Sequence, residues 1–294
     1  MADRKIGRYV ISCSNEAYVL FPKAKITKGK LVDYYEFVAP YMLPYVKDRL
    51  MTLHRYPSGI DHEGFYQKNT PDYFPAFIKR KKVQKKTEGA VNYLVCNNAA
   101  TLVYIANQGT ITPHITLSKI DRLEYPDRII FDFDPSKKNQ FDAIIDAALA
   151  MKEILEDVGL KSFVMTTGSR GLHVVTPIKR EYPFDQVRQF AKNLAQELAS
   201  QDSRTFTLEI PKAKRRGKIF IDYLRNAYGA TAVAPYAVRA KEGAPVATPL
   251  AWNELSRLDS PQKYTLKNIS RRLKSRKDPW ESFSRSACSL KKLM

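Results

Sequence analysis

The stretch from Arg128 to Ser136, Arg-Ile-Ile-Phe-Asp-Phe-Asp-Pro-Ser, constrains this chain more than any other. It reads as a short buried strand that ends in two aspartates. Side chains alternate along a strand, so Asp132 and Asp134 share one face, roughly 7 Å apart. Phe131 and Phe133 point the other way, into a core. Two carboxylates on so apolar a strand are costly to bury without a cation. Divalent metals that prefer hard oxygen ligands, Mg²⁺ or Mn²⁺, would relieve that cost. An exposed strand end closing in a turn accounts for Asp-x-Asp equally well on its own, since turns are rich in Asp and Pro.

Charge narrows the choice. The 294 residues carry 49 Lys and Arg against 30 Asp and Glu, a net charge of +19. Such an excess points to a polyanionic partner, nucleic acid first. No basic amphipathic helix with an apolar anchor face supports a membrane surface instead, and no apolar run is long enough to span a bilayer. Met1 to Lys5 lack the apolar core of a signal peptide. Cys13, Cys96 and Cys288 are far apart and odd in number, which fits a reducing compartment without a disulfide framework or zinc site.

Along the chain, Arg8–Ile11 and Tyr18–Phe21 read as short strands. Thr27 is placed to cap a helix from Lys28 whose apolar face is Leu31, Tyr34, Tyr35 and Val38, interrupted at Pro40 and Pro44. Its N-terminus, flanked by lysines, could serve as an anion site, although composition favours a solvated basic loop. Met51–Tyr56 reads as a strand. Phe65 and Tyr66 follow in a polar loop, where one ring is expected to be exposed; ordinary packing explains it more readily than a stacking platform for a base. Lys79–Lys86 is expected to be a solvated, flexible basic arm. Val91–Val95 and Thr101–Ala106 fit either helix or strand. Amphipathic helices are expected over 141–158 and 184–199. Strands are expected over 163–166, 172–178, 219–224 and 233–239, with a short helix from Trp252 and a basic helical tail around 271–277. Strands alternating with helices, with no repeat, linker or visible boundary, indicate a layered α/β fold.

Three features converge. They are Asp-x-Asp on its strand, the loop Thr167-Gly168-Ser169-Arg170-Gly171 leading into His173, and Asp222 on the apolar strand after the basic run Lys212–Lys218. Three aspartates could hold two metals for phosphoryl transfer. The glycine loop could bring backbone N–H groups and Arg170 to a triphosphate. No P-loop, His-Glu-x-x-His motif or Gly-x-Ser-x-Gly elbow is present. A two-metal nuclease would suit the aspartates but has no need of a triphosphate loop.

Ile130–Pro135, Thr167–Val174 and Phe220–Asn226 resemble the three motifs of the archaeo-eukaryotic primase superfamily. More narrowly they resemble the polymerase domain of ligase D from prokaryotic non-homologous end joining. The resemblance extends to Phe21-Pro22, Ile26–Lys28, Arg55–Asp61, Phe65–Lys68, Asn107–Gly109 and Tyr236–Arg239. It implies that Asp132, Asp134 and Asp222 bind two Mn²⁺ or Mg²⁺ ions and are catalytic. Thr167, Ser169, Arg170, His173, Arg215 and Arg239 would surround an incoming NTP or dNTP, with His114 near its sugar or the metals. Asn15 and Lys28, with Lys23, would hold a downstream 5′-phosphate. Phe65 and Tyr66 would stack on the template, and Arg55 and Lys68 would also contact DNA. Tyr18 and His54 stand where the family often has Lys, and Thr167 and Arg170 replace its usual Ser and Lys.

The expectation is one compact domain over 1–294. It would have an α/β, archaeo-eukaryotic primase fold with an RRM-like catalytic sheet, an accessory sheet and flanking helices. No ligase or phosphoesterase segment is seen, as in a stand-alone or excised polymerase domain. The implied activity is template-directed nucleotidyl transfer that fills gaps and extends DNA ends with a preference for ribonucleotides. The implied partners are broken or gapped DNA with a 5′-phosphate, NTPs, Ku and a separate ATP-dependent ligase. No membrane is involved, and the chain would act as a monomer or DNA-bridged dimer in the prokaryotic cytoplasm, at the nucleoid. A de novo primase and a non-catalytic DNA-end bridging module are the alternatives.

Overall fold

In the computed structural model, which describes residues 2–85, 88–136 and 140–294, the chain divides into two compact units. The first comprises Met1–Asp121, Thr231–Ala247 and Thr265–Arg272; the second comprises Arg122–Ala230, Thr248–Tyr264 and Leu273–Met294. The chain enters each unit three times, so no single linker marks the boundary that the sequence fails to display.

The first unit opens with the hairpin β1 (Ala2–Ile6) and β2 (Tyr9–Cys13), then the short pair β3 (Val19–Phe21) and β4 (Ile26–Thr27). Helix α1 (Lys28–Val46) begins as the sequence predicts, with the Thr27 hydroxyl accepting from the Lys30 amide at 3.3 Å. It does not break at Pro40 or Pro44. Proline removes a helical hydrogen bond, but tertiary packing holds this helix. Leu31, Tyr34, Tyr35, Val38 and Met42 are buried, and the Tyr34 and Tyr35 hydroxyls each donate at 2.6 Å, to the carbonyls of Tyr236 and Ile111.

There follow β5 (Leu50–Arg55), β6 (Phe65–Gln67), β7 (Lys79–Gln84), β8 (Ala90–Val95), α2 (Ala99–Asn107) and β9 (Thr110–Thr116). The ambiguous stretches thus resolve as a strand at 90–95 and a helix over 99–107. The expected basic arm is ordered as β7, paired with β8 from Lys79 to Gln84, while Lys86 lies outside the described residues. A cation-rich strand is a common way to guard a sheet edge.

In the second unit β10 (Arg128–Asp134), α3 (Phe141–Asp157), β11 (Phe163–Thr166), β12 (Leu172–Pro177), α4 (Phe184–Gln201), β13 (Phe206–Thr207) and β14 (Ile219–Asp222) follow in turn. The chain then gives β15 (Thr231–Val233) to the first unit and β16 (Pro249–Leu250) to the second. The expected strand over 233–239 stops at Val233. Pro235 has no N–H to donate, and Tyr236 turns to a φ of 66° that an extended strand excludes. Trp252 opens a 3-10 turn, and the basic tail is helical over Ile269–Ser275.

The first unit's main sheet runs β15-β9-β5-β8-β7, with β6 on β5; the second unit's runs β13-β14-β10-β12-β11-β16. Within the latter, β10-α3-β11-β12-α4-β14 is the βαββαβ arrangement of an RRM-like sheet. Ile129, Phe131 and Phe133 of β10 pack with Ile144, Ala148 and Met151 of α3 and Phe190 and Leu194 of α4. The helices therefore cover the odd-numbered face of β10. Asp132 and Asp134 lie on the opposite face.

Candidate active site

Register assembles the site. Asp132 on β10 is directly opposite His173 on β12 and directly opposite Asp222 on β14. Directly opposed residues share a face, so these side chains form a row across three strands on the face opposite the helices. Asp134, two residues on, is opposite Phe220. His173 Nε2 lies 3.4 Å from Asp132 Oδ2, and its buried Nδ1 has no hydrogen-bond partner among the described residues.

Arginine side chains meet these carboxylates. Arg225 Nε lies 3.5 Å from Asp132 Oδ2 and 3.4 Å from Asp222 Oδ2. Arg170 approaches Asp134 at 3.7 Å. Burial, then the charge of Asp132, pushes the carboxyls of Asp134 and Asp222 above the ordinary range. Burial works against the charge of Arg225, but Asp132, Asp222 and Asp134 together hold its guanidinium above its usual value. Asp222 is oriented by its backbone: Oδ1 accepts from the Leu224 amide at 2.8 Å.

After Asp222 the chain leaves the sheet in a 3-10 turn, Leu224–Asn226. The fully buried Asn226 side chain then takes over the pairing with β10. It accepts from the Ile130 amide at 2.9 Å and donates to the Ile130 carbonyl at 2.8 Å and the Tyr223 carbonyl at 2.9 Å.

The glycine loop joins β11 to β12. Gly168 has a φ of 62°, and a Cβ on Gly171 would overlap the carbonyl oxygen of Phe133. The amides of Ser169 and Gly171 do not face outwards as expected for a triphosphate loop. They donate to the Thr167 hydroxyl, at 3.2 and 3.3 Å, and that hydroxyl donates to the Gly171 carbonyl at 3.0 Å. Thr167 therefore organises the loop from within. Gln262 braces it further, donating to the Ser169 carbonyl at 2.7 Å. Arg170 is exposed and Ser169 half-buried. Arg215 stacks over the ring of Phe220 at 3.8 Å, with its guanidinium donating to the carbonyls of Glu209 and Ile210.

The other expected site residues belong to the first unit. On its sheet His54 stacks on Tyr66, ring centroids 4.0 Å apart and planes within 10°. These two are directly opposed on β5 and β6. His114 on β9 meets the Tyr66 ring edge-on at 5.7 Å. Burial, then the charge of Arg239, holds the His54 imidazole below its ordinary value. Tyr66, His54, His114 and Arg239 thus share one region of this unit, while Phe65 pairs with Arg55. Both Phe65 and Tyr66 are exposed, not one of the two. Arg55 is a brace: it donates to the Gln108 carbonyl at 2.9 and 2.6 Å and to Gln67 at 2.6 Å, and lies over the Phe65 ring. Lys68 is exposed beside them.

Asn15, Tyr18 and Lys28 surround the loop before α1. Lys28 is buried, and its ammonium lies 3.4 Å from the Ser14 hydroxyl with its pKa lowered, first by burial. The first amides of α1 are not the open anion site the sequence suggests. Those of Lys28 and Gly29 donate to the carbonyls of Tyr18 and Glu16, and that of Lys30 to Thr27. Lys23 lies in the turn between β3 and β4, and the Tyr18 hydroxyl donates to the Ser58 carbonyl.

Arg225 and Asn226 fall in the third sequence motif without a role assigned there, and Gln262 and the His54–Tyr66 stack were not legible in the sequence. A cation three residues after the third aspartate was the available signal for Arg225. Among the described residues no group of three or more His, Cys, Asp or Glu stands close enough to form a ready metal cluster. Arg225 lies between two of the carboxylates instead.

Fold and site together define an α/β protein whose βαββαβ sheet carries three aspartates and a histidine on the face opposite its helices, with two arginines beside them. A family model for the LigD primase-polymerase domain matches residues 27–280, and the chain belongs to that family. It is 32% identical over 91% of its length to the bifunctional non-homologous end joining protein LigD of Bacillus subtilis. It is 30% identical over 93% of its length to the multifunctional LigD of Pseudomonas aeruginosa. It spans only 43% and 33% of those relatives. The polymerase domain of Mycobacterium tuberculosis ligase D, solved in complex with DNA, superposes with a TM-score of 0.86 at 29% identity, covering 94% of this chain and 99% of that one.

Proposed function

We propose that this chain is a template-directed nucleotidyltransferase of prokaryotic non-homologous end joining, which fills gaps and extends DNA ends by two-metal phosphoryl transfer. The observation that carries the proposal is the direct opposition of Asp132 and Asp222, with Asp134 on the same face of β10. Family membership and the net charge of +19 support a nucleic-acid substrate. No helix among the described residues is long and apolar enough to cross a membrane.

The residues present fit divalent ions. They offer hard carboxylate oxygens, and burial and mutual repulsion already make Asp134 and Asp222 reluctant to ionise without a cation. Asp132, Asp134 and Asp222 would hold the ions, which would supply charge neutralisation at the reacting phosphate. Arg170 and Ser169 at the loop surface suit the triphosphate oxygens, and Arg215 stacks on Phe220, the residue directly opposite Asp134. The roles of His114 and Arg239 toward a nucleotide rest on the family resemblance. Ribonucleotide preference, the 5′-phosphate role of Asn15, Lys23 and Lys28, and partnership with Ku and a ligase rest on it too. Phe65 and Tyr66 expose ring faces on which template bases could stack.

Fluorescence anisotropy with gapped DNA tests the substrate. Wild type is expected to bind more tightly when the downstream end carries a 5′-phosphate, and Lys28→Ala to lose that increment. Equal affinity with and without the phosphate in wild type contradicts the end-joining assignment of that pocket. Primer extension with NTPs and dNTPs in parallel tests the sugar preference, and faster dNTP use contradicts it.

A further inference from the structure

We propose that Arg225 is a built-in counter-cation of the three-aspartate site, occupying carboxylate oxygens that a divalent ion needs and so setting how tightly the ion binds. The inference rests on the metal-binding reading given above.

The geometry is specific. One Asp222 oxygen is committed to the Leu224 amide, and the other faces Arg225 Nε at 3.4 Å. The same Nε lies 3.5 Å from Asp132 Oδ2, so a single guanidinium edge serves two carboxylates from adjacent strands. An ion held by Asp132 and Asp222 would meet this guanidinium as a like charge. Arg170, at 3.7 Å from Asp134, is a second cation on this carboxylate set, and His173 faces Asp132 from the far strand.

The arginine is also mounted so that it can leave. Its backbone is pinned, because the next residue, Asn226, makes three hydrogen bonds to Ile130 and Tyr223. Its side chain is 42% exposed, against 9% and 13% for the Asp132 and Asp222 side chains. The guanidinium can turn toward solvent or toward a substrate phosphate while the carboxylates keep their places. Before an ion arrives it keeps two adjacent carboxylates from repelling one another.

The test is Mn²⁺ binding to the full chain, by titration calorimetry without nucleotide or DNA, in wild type, Arg225→Gln, Arg225→Lys and Asp222→Ala. Arg225→Gln is expected to bind Mn²⁺ about tenfold more tightly than wild type. Its ion-free Tm should fall, and Mn²⁺ should raise that Tm by more than it raises wild type's. Arg225→Lys keeps the charge but loses the planar edge that spans two carboxylates, so its affinity should fall between the two and guards against failure of the glutamine variant to fold. Binding that Asp222→Ala abolishes, yet that both Arg225 variants leave unchanged or weaken, overturns the inference and leaves the metal site standing. No binding in wild type or either Arg225 variant overturns both.

Discussion

Asp222 is fixed by one oxygen on a backbone amide and exposed to charge at the other. Its ionisation is held back in the folded protein by burial and by Asp132, and the same holds for Asp134. The unfolded chain therefore releases these protons first, and these two groups subtract stability as pH rises above about 4, the ordinary carboxylate value. Below that pH both states are protonated and the penalty vanishes. Asp222→Asn is expected to raise Tm by a few degrees at pH 7 without metal, and to have no such effect below about pH 4. Thermal unfolding across pH checks this, and a lower Tm for the variant at pH 7 contradicts it. Asn226 works by hydrogen bonds alone. Asn226→Leu leaves the Ile130 amide and carbonyl without these partners and should cost about 1 to 3 kcal/mol, measured by urea unfolding.

At the scale of elements, the hairpin of β11 and β12 shows how tightly one loop is specified. Gly171 lies against the carbonyl of Phe133, the residue between the two aspartates of β10. Gly171→Ala must push the loop and β10 apart, so it should lower kcat well before it lowers the affinity for DNA. Equal loss in both would argue that the substitution acts by general unfolding. Much of this element was legible in advance. Alternation placed Asp132 and Asp134 on one face and Phe131 and Phe133 on the other, and the helical period of Phe141, Ile144, Ile145, Ala148, Leu149 and Leu155 supplied the helix that covers those phenylalanines, although Leu149 is exposed and Met151, outside that pattern, is buried. Register was not legible: nothing local in Asp222 or His173 says that each sits opposite Asp132. The inward turn of the Thr167 hydroxyl was hidden for a similar reason, since its partners are backbone atoms that only the closed loop brings together. Pro40 and Pro44 misled because local propensity was outweighed by the buried tyrosine face of α1.

At the scale of the whole molecule, the described residues build two six-stranded sheets from interleaved segments, so composition alone could not divide the chain. The net charge of +19 was legible and makes its own prediction. Affinity for DNA should fall steeply with salt, about a thousandfold between about 50 and 200 mM if some six phosphates are neutralised. A weak dependence would argue against backbone contacts as the main source of affinity. What the charge does not say is whether bound DNA is copied. That is decided by single-nucleotide incorporation into gapped DNA with Mn²⁺, using each of the four template bases in turn, with wild type and the Asp132→Asn and Asp222→Asn variants. Wild type should add the complementary nucleotide opposite each base, and both variants should add none while still binding the gap. Incorporation that ignores the template base, or that survives loss of either aspartate, would contradict the proposal.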